Sequence, residues 1–289
     1  MEKLLPVALG IIMLGLGLTL TLADFKRVIR YPRAVVLGLS CQMLVLPAIC
    51  FGVARAFALP PELAVGLMLL AASPGGATAN LFSHLARGDV ALNITLTAVN
   101  SLLSIVTMPF IIELSLSSFM AQDQRVPLQF VKIIQIFAIV LVPITVGMLI
   151  RAKREGLAAQ LERPVRILSA LFLFAVIVGA VVAERATLAE SFPQVGPAAL
   201  VFNLASLSLG FFVPRLFGVV EKQAISIGME IGIHNGTLAM AIATTVLNNS
   251  VMRVPAAIYS LIMFITAAAF GWLVARRQRA AEAAAPVAA

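Results

Sequence analysis

The chain has 289 residues, of which 61% are hydrophobic and only 12% charged, and its mean hydropathy is +1.03. Soluble domains hold about 45–50% apolar and about 25% charged residues, so a soluble fold is excluded. The net charge of +8 would suggest nucleic acid for a soluble protein, but here the basic residues lie in the connections between apolar stretches and report membrane orientation instead.

Nine apolar stretches follow one another. The first, 4–23, reads as a span rather than a cleaved signal, because Met1 to Lys3 is hardly basic and no small-residue cleavage site precedes the charged segment after it. The second, 34–58, holds Gln42 and the only cysteines, Cys41 and Cys50, which lack metal-ligand spacing and read as core residues. The third, 63–86, contains Ser73-Pro-Gly-Gly-Ala-Thr-Ala-Asn80, where a proline and two glycines would open the backbone near the bilayer centre. The fourth, 90–117, carries Asn93, Thr97, Asn100, Ser101 and Ser104, whose spacing of three or four lines them along one helix face. Stretches 129–150 and 166–183 are featureless, and 196–218 buries the amide of Asn203. The eighth, 223–247, contains Glu230-Ile-Gly-Ile-His-Asn-Gly-Thr237, a second interruption at matching depth, and 254–275 is the ninth. The remaining 276–289, RRQRAAEAAAPVAA, reads as a disordered cytoplasmic tail.

Stretches of this length must satisfy their backbone groups internally in lipid, so they are helices rather than barrel strands. The expected fold is an all-α polytopic membrane protein with nine spans, forming a single membrane domain over 1–275. Of the 21 Lys and Arg residues, fifteen fall in one alternating set of connections and five in the other, Lys132 being near a span end. Positive residues stay cytoplasmic, so the N-terminus is expected outside and the C-terminus inside, which requires an odd number of spans. With stretch five as a linker, stretches three and eight become partners of opposite direction. An inverted repeat with broken helices at equivalent places is the pattern of secondary transporters; the plain alternative is that Gly and Pro only kink helices or let them pack.

Glu230 is the single deep carboxylate among thirteen acidic residues; Glu113 lies near a span end and the others lie in loops or termini. An uncompensated carboxylate in hydrocarbon is costly, and a bound cation is the natural partner where no Lys or Arg shares its depth. The amide and hydroxyl oxygens of Asn93 and Thr97 suit a small hard cation, and the alternative for them is hydrogen bonding between helices. Gln42 and Asn203 are further amides that must face the protein interior. His84, at the end of the third stretch, reads as a solvated histidine. No HExxH, GxSxG or aspartate-rich motif supports an enzyme.

These residues resemble the bile acid:sodium symporter family: GIIMLGLGLTL from Gly10, Ser73-Pro-Gly-Gly with Asn80, Leu85-Ala-Arg-Gly-Asp-Val-Ala-Leu92, and Glu230-Ile-Gly-Ile-His-Asn235. The resemblance covers nearly the whole chain and looks like the nine-span form. It implies a core domain of stretches two to four and seven to nine with the two broken helices crossing, a panel domain of stretches one, five and six, and a substrate crevice between them. It further implies sodium coupling. One sodium site would use Asn80, the Ala79 region, Asn93, Thr97 and Glu230; a second would use Gln42, Glu230 and carbonyls around Ile231 and Ile233. Where relatives commonly have Gln, this chain has His234, a nitrogen donor that can carry a proton, so the second site is weakened or replaced by proton coupling. Asn93 stands where relatives have Ser and retains an oxygen.

The cargo implied is an organic monocarboxylate of the bile acid, pantothenate-like or 2-oxo acid class, met by Thr78, Asn80, Asn203, Asn235, Gly236 and Thr237. The expected protein is thus a sodium symporter of the inner membrane working by alternating access, with no nucleic-acid or obligatory protein partner. The alternatives are a proton-coupled or uncoupled organic anion transporter, or a channel.

Overall fold

A computed structural model of the chain describes residues 4–121, 130–183 and 185–284. Lys3 and Arg125, two of the five basic residues in the smaller set of connections, and the last five residues of the tail lie outside them.

Among the described residues every regular element is helical and there is no strand. The helices are α1 (Leu4–Thr19), α2 (Leu22–Arg30), α3 (Pro32–Ser40), α4 (Leu46–Ala56), α5 (Pro61–Ala72), α6 (Ala77–Leu85) and α7 (Val90–Phe119) in the first half. Then come α8 (Phe130–Lys153), α9 (Glu155–Ala183), α10 (Arg185–Leu216), α11 (Glu221–Gly232), α12 (Gly236–Ala241) and α13 (Val254–Ala284). A π-helical turn, Cys41–Val45, joins α3 to α4, so 32–56 is one continuous rod, and a second one, Ile242–Val246, prolongs α12. Among the described residues five helices are long and apolar enough to cross a membrane, or six if the bent pair α1 and α2 forms one span. The two interrupted stretches fall short of that length because each is built of two short helices.

Both interruptions fall inside the motifs expected to break. Pro74 has no N–H to continue α5, and the chain is extended at Ser73 and again at Gly76. In the eighth stretch Ile233 is extended and Asn235 caps α12. Elsewhere helix runs further than expected. The charged segment after the first stretch is not a loop but α2, bent 68° from the preceding helix. Only Arg154 separates α8 from α9, which starts eleven residues before the expected 166, and 276–284, expected as disordered tail, continues α13. The reason is shared: Ala, Glu, Gln, Leu and Arg are strong helix formers with or without lipid around them.

Two groups of helices form the body. α1 packs against α8 and α9, with Gly17 so close to the backbone of Ile144 that a Cβ would collide with it. α4, α5, α7, α10, α11 and α13 pack on one another around the breaks. The main core runs through both groups, from Leu9 and Leu16 on α1 to Leu69 on α5, Phe202 on α10 and Tyr259 on α13.

Candidate functional site

The two breaks pair with each other. Gly75 and His234 form an isolated antiparallel bridge, Gly76 N–H donates to the Ile233 carbonyl at 2.9 Å, and Asn235 N–H donates to the Pro74 carbonyl at 2.9 Å. Backbone groups opened by a broken helix find no water in a membrane core, so each break supplies the partners the other lacks.

Glu230, one turn before the second break, points its carboxylate at the first. It is 1% exposed, and a Cβ on Gly75 would overlap it, so only glycine fits there. Asn93 Nδ2 donates to Glu230 Oε2 at 2.8 Å and Thr97 Oγ1 donates to the same oxygen at 2.5 Å. The polar face of α7 thus meets the acid from 137 and 133 residues away in sequence. The other oxygen, Glu230 Oε1, is buried without a hydrogen-bond partner, and so are Asn93 Oδ1, Asn80 Oδ1 and Gln42 Oε1. Buried polar atoms rarely stay unpaired. Orphan oxygens of this kind, one of them a carboxylate, are what a small hard cation takes as ligands, so the residues present fit sodium.

Gln42, in the π-helical turn, belongs to a neighbouring cluster. Its Nε2 donates to the Ser73 carbonyl at 3.0 Å and lies 3.5 Å from His234 Nδ1, which is also 3.3 Å from that carbonyl. Among the described residues no hydrogen bond joins Gln42 to Glu230. The imidazole stacks on Phe202 and meets the edge of Tyr259. Ile233, expected to offer its carbonyl to a cation, gives it to Gly76; Ile231 packs against Gly210. Ala79 is buried and donates its N–H to Gly76.

The remaining residues divide. Thr78, Asn235, Gly236 and Thr237 line a small cavity at the paired breaks, with Ile12 of α1 opposite. Asn80 opens instead onto a cleft of about 350 Å³ whose walls are Ile12, Leu16 and Thr19 of α1, Leu81 and His84 of α6, Ile94 of α7, and Glu162 and Arg166 of α9. Asn203 joins neither. It is fully buried, its Nδ2 donates to the Gly232 carbonyl and to Tyr259 Oη, both at 2.8 Å, and its Oδ1 accepts from the Thr266 hydroxyl. Its amide closes the end of α11, apart from the two cavities that hold the other residues expected to meet the cargo. Ser104 likewise satisfies itself on the Ser101 carbonyl at 2.9 Å. Tyr259 and Phe202, which frame His234, were not singled out by the sequence. An apolar helix carrying one of only two tyrosines was the available signal, since a buried phenol needs a polar partner.

A multi-helix membrane protein whose two broken helices meet around a buried, cation-ready carboxylate has the build of a secondary transporter. The profile described as "Sodium Bile acid symporter family" matches residues 6–191. The chain is 30% identical over 257 residues to the uncharacterized sodium-dependent transporter YocS of Bacillus subtilis, covering 89% of this chain and 78% of that one. It is 28% identical to the probable chloroplastic sodium/metabolite cotransporter BASS1 of Arabidopsis thaliana, over 88% of this chain but 62% of the relative. With the ileal sodium/bile acid cotransporter of Oryctolagus cuniculus it shares 25% identity over 84% of this chain and 69% of the relative. The chain belongs to the Sodium Bile acid symporter family, a family of sodium-dependent transporters and not of enzymes.

Proposed function

We propose that this chain is a symporter that moves an organic monocarboxylate with sodium by alternating access. The observation that carries the reading is the buried Glu230 carboxylate, held by Asn93 and Thr97 on one oxygen with the other left without a partner. Asn80, the Ala79 region, Asn93, Thr97 and Glu230 hold the first sodium ion. Thr78, Asn80, Asn235, Gly236 and Thr237 receive the cargo carboxylate, which is of the bile acid, pantothenate-like or 2-oxo acid class. The bile acid named in the rabbit relative supports an organic anion.

Nine crossings arranged as an inverted repeat are supported by the matching breaks after Ala72 and Gly232. The panel of α1, α8 and α9 against a core of the remaining spans is supported by the close packing of α1 on α8 and α9. The basic asymmetry supports an outside N-terminus and a cytoplasmic C-terminus in the inner membrane. Alternating access then exposes the paired breaks to either side in turn.

A second sodium position at Gln42, Glu230 and the Ile231 and Ile233 carbonyls is weak, because the His234 imidazole faces the Gln42 amide and presents nitrogen where an oxygen ligand is wanted. His234→Gln is expected to raise the sodium Hill coefficient of uptake from near one toward two.

The test is uptake of a panel of radiolabelled monocarboxylates into proteoliposomes with an inward sodium gradient. Saturable accumulation above the outside concentration supports symport. Passive equilibration at rates far above a transport cycle would make the chain a channel.

A further inference from the structure

Beyond transport, the elbow between α2 and α3 has the properties of a lipid site. α2 turns 68° away from α1. Thr95 of α7 anchors it by donating to the Asp24 carbonyl at 3.0 Å, and Val28 and Tyr31 pack on Val35, Leu92, Leu96, Val219 and Ile227. The rest of the helix is two-sided: Leu22 and Ile29 are exposed apolar residues, and Lys26 and Arg30 are exposed cations. A short helix with that division lies in the membrane interface, apolar side in the acyl region and basic side among the headgroups.

Beside it a groove of about 600 Å³ is lined by Pro32, Arg33, Val36, Leu37 and Phe217. Val36 and Phe217 are well exposed, as is Leu216 next to them. The walls are therefore apolar and open to the surroundings, and the one charged lining residue is Arg33. Neighbouring charges divide unevenly. Arg27 pairs with Asp24 at 3.7 Å and Arg215 pairs with Glu221 at 2.8 Å. Among the described residues no carboxylate pairs with Lys26, Arg30 or Arg33, and Arg30 has only the Tyr31 ring, 5.6 Å away. An apolar slot that carries one unneutralised cation, Arg33, and follows a helix with two more, Lys26 and Arg30, matches a molecule with an acyl chain and an anionic head.

We propose that this groove binds an anionic phospholipid, its acyl chain along Val36, Leu37 and Phe217 and its phosphate on Arg33 with Lys26 and Arg30 close by. The lipid braces the elbow where α2 joins the α1, α8, α9 group to the helices that carry the breaks. A polybasic segment beside a transmembrane helix gains affinity for anionic lipid with each cation, about fivefold per charge.

The experiment uses the full chain in detergent, with dioleoylphosphatidylglycerol and dioleoylphosphatidylcholine offered at equal concentration and retained lipid read by native mass spectrometry. The wild type is expected to retain phosphatidylglycerol preferentially. Arg33→Gln should lower that retention about fivefold, Arg33→Lys should restore most of it, and Val36→Trp, which fills the groove without touching charge, should also lower it. Arg277→Gln, a basic residue on α13 away from the groove, should change nothing. Size-exclusion profiles establish that each variant is folded. Equal retention of the two lipids by the wild type would overturn the proposal. So would unchanged retention in Arg33→Gln, or an equal loss in Arg277→Gln, which would mean a general attraction to basic ends. Competition by glycerol phosphate, which has no chain, would overturn the role of the groove.

Discussion

Glu230→Gln is the most direct perturbation of the site, because it exchanges one oxygen for an NH2 group and alters shape very little. The donors from Asn93 and Thr97 both fall on Oε2, so the amide oxygen can take that place and keep both bonds. The new NH2 then takes the position of Oε1, which has no hydrogen-bond partner to lose, and the fold should hold within about 1 kcal/mol, the net worth of one hydrogen bond. What is lost is a full negative charge beside the cation. At about 4 Å and an effective dielectric near 20, a pair of unit charges is worth about 4 kcal/mol, close to a thousandfold in affinity. Sodium that stabilises the wild type by about 2.7 kcal/mol at a hundred times its Kd should leave the variant unstabilised at the same concentration. The assay is thermal unfolding in sodium against potassium at constant ionic strength, alongside sodium-driven uptake. A variant that unfolds normally in potassium and still shows the wild-type sodium midpoint would refute the assignment of Glu230 as a ligand.

Other perturbations test the surroundings. Gly75→Ala places a methyl group where the Glu230 carboxylate lies; it should cost about 1–3 kcal/mol in stability and abolish sodium-dependent stabilisation, as read by the same unfolding assay. Asn235 accepts from Leu238 N–H at 3.0 Å and from the Thr237 hydroxyl at 2.7 Å, so Asn235→Ala confounds a lost helix cap with a lost ligand. Asn235→Ser keeps a capping oxygen and should be nearly neutral for stability, while uptake should lose about ten- to hundredfold in cargo affinity through the missing amide donor with sodium affinity intact. Cysteines at positions 30 and 160 should be labelled by impermeant reagents only from the cytoplasmic side. Both native cysteines are buried, which keeps the background low, and labelling of either position from outside would overturn the orientation.

The sequence alone located the two helix breaks, because they depend on local facts: Pro74 lacks an N–H, glycines are poor helix formers, and both lie inside apolar stretches. It also singled out Glu230, since a lone carboxylate in hydrocarbon is conspicuous without knowledge of its neighbours. The ends of helices were less legible. Hydropathy falls where lipid ends, whereas helix formers such as those at 155–165 and 276–284 carry the helix on, so α9 and α13 outrun the apolar stretches.

Only the tertiary structure decided what each polar residue does. Asn93, Gln42 and Asn203 are similar amides in similar apolar surroundings, yet one meets the acid, one meets His234 and one closes α11. Partners 29 to 192 residues apart select among such groups, and that selection is made by helix packing, which brings together side chains that no local pattern in the sequence connects.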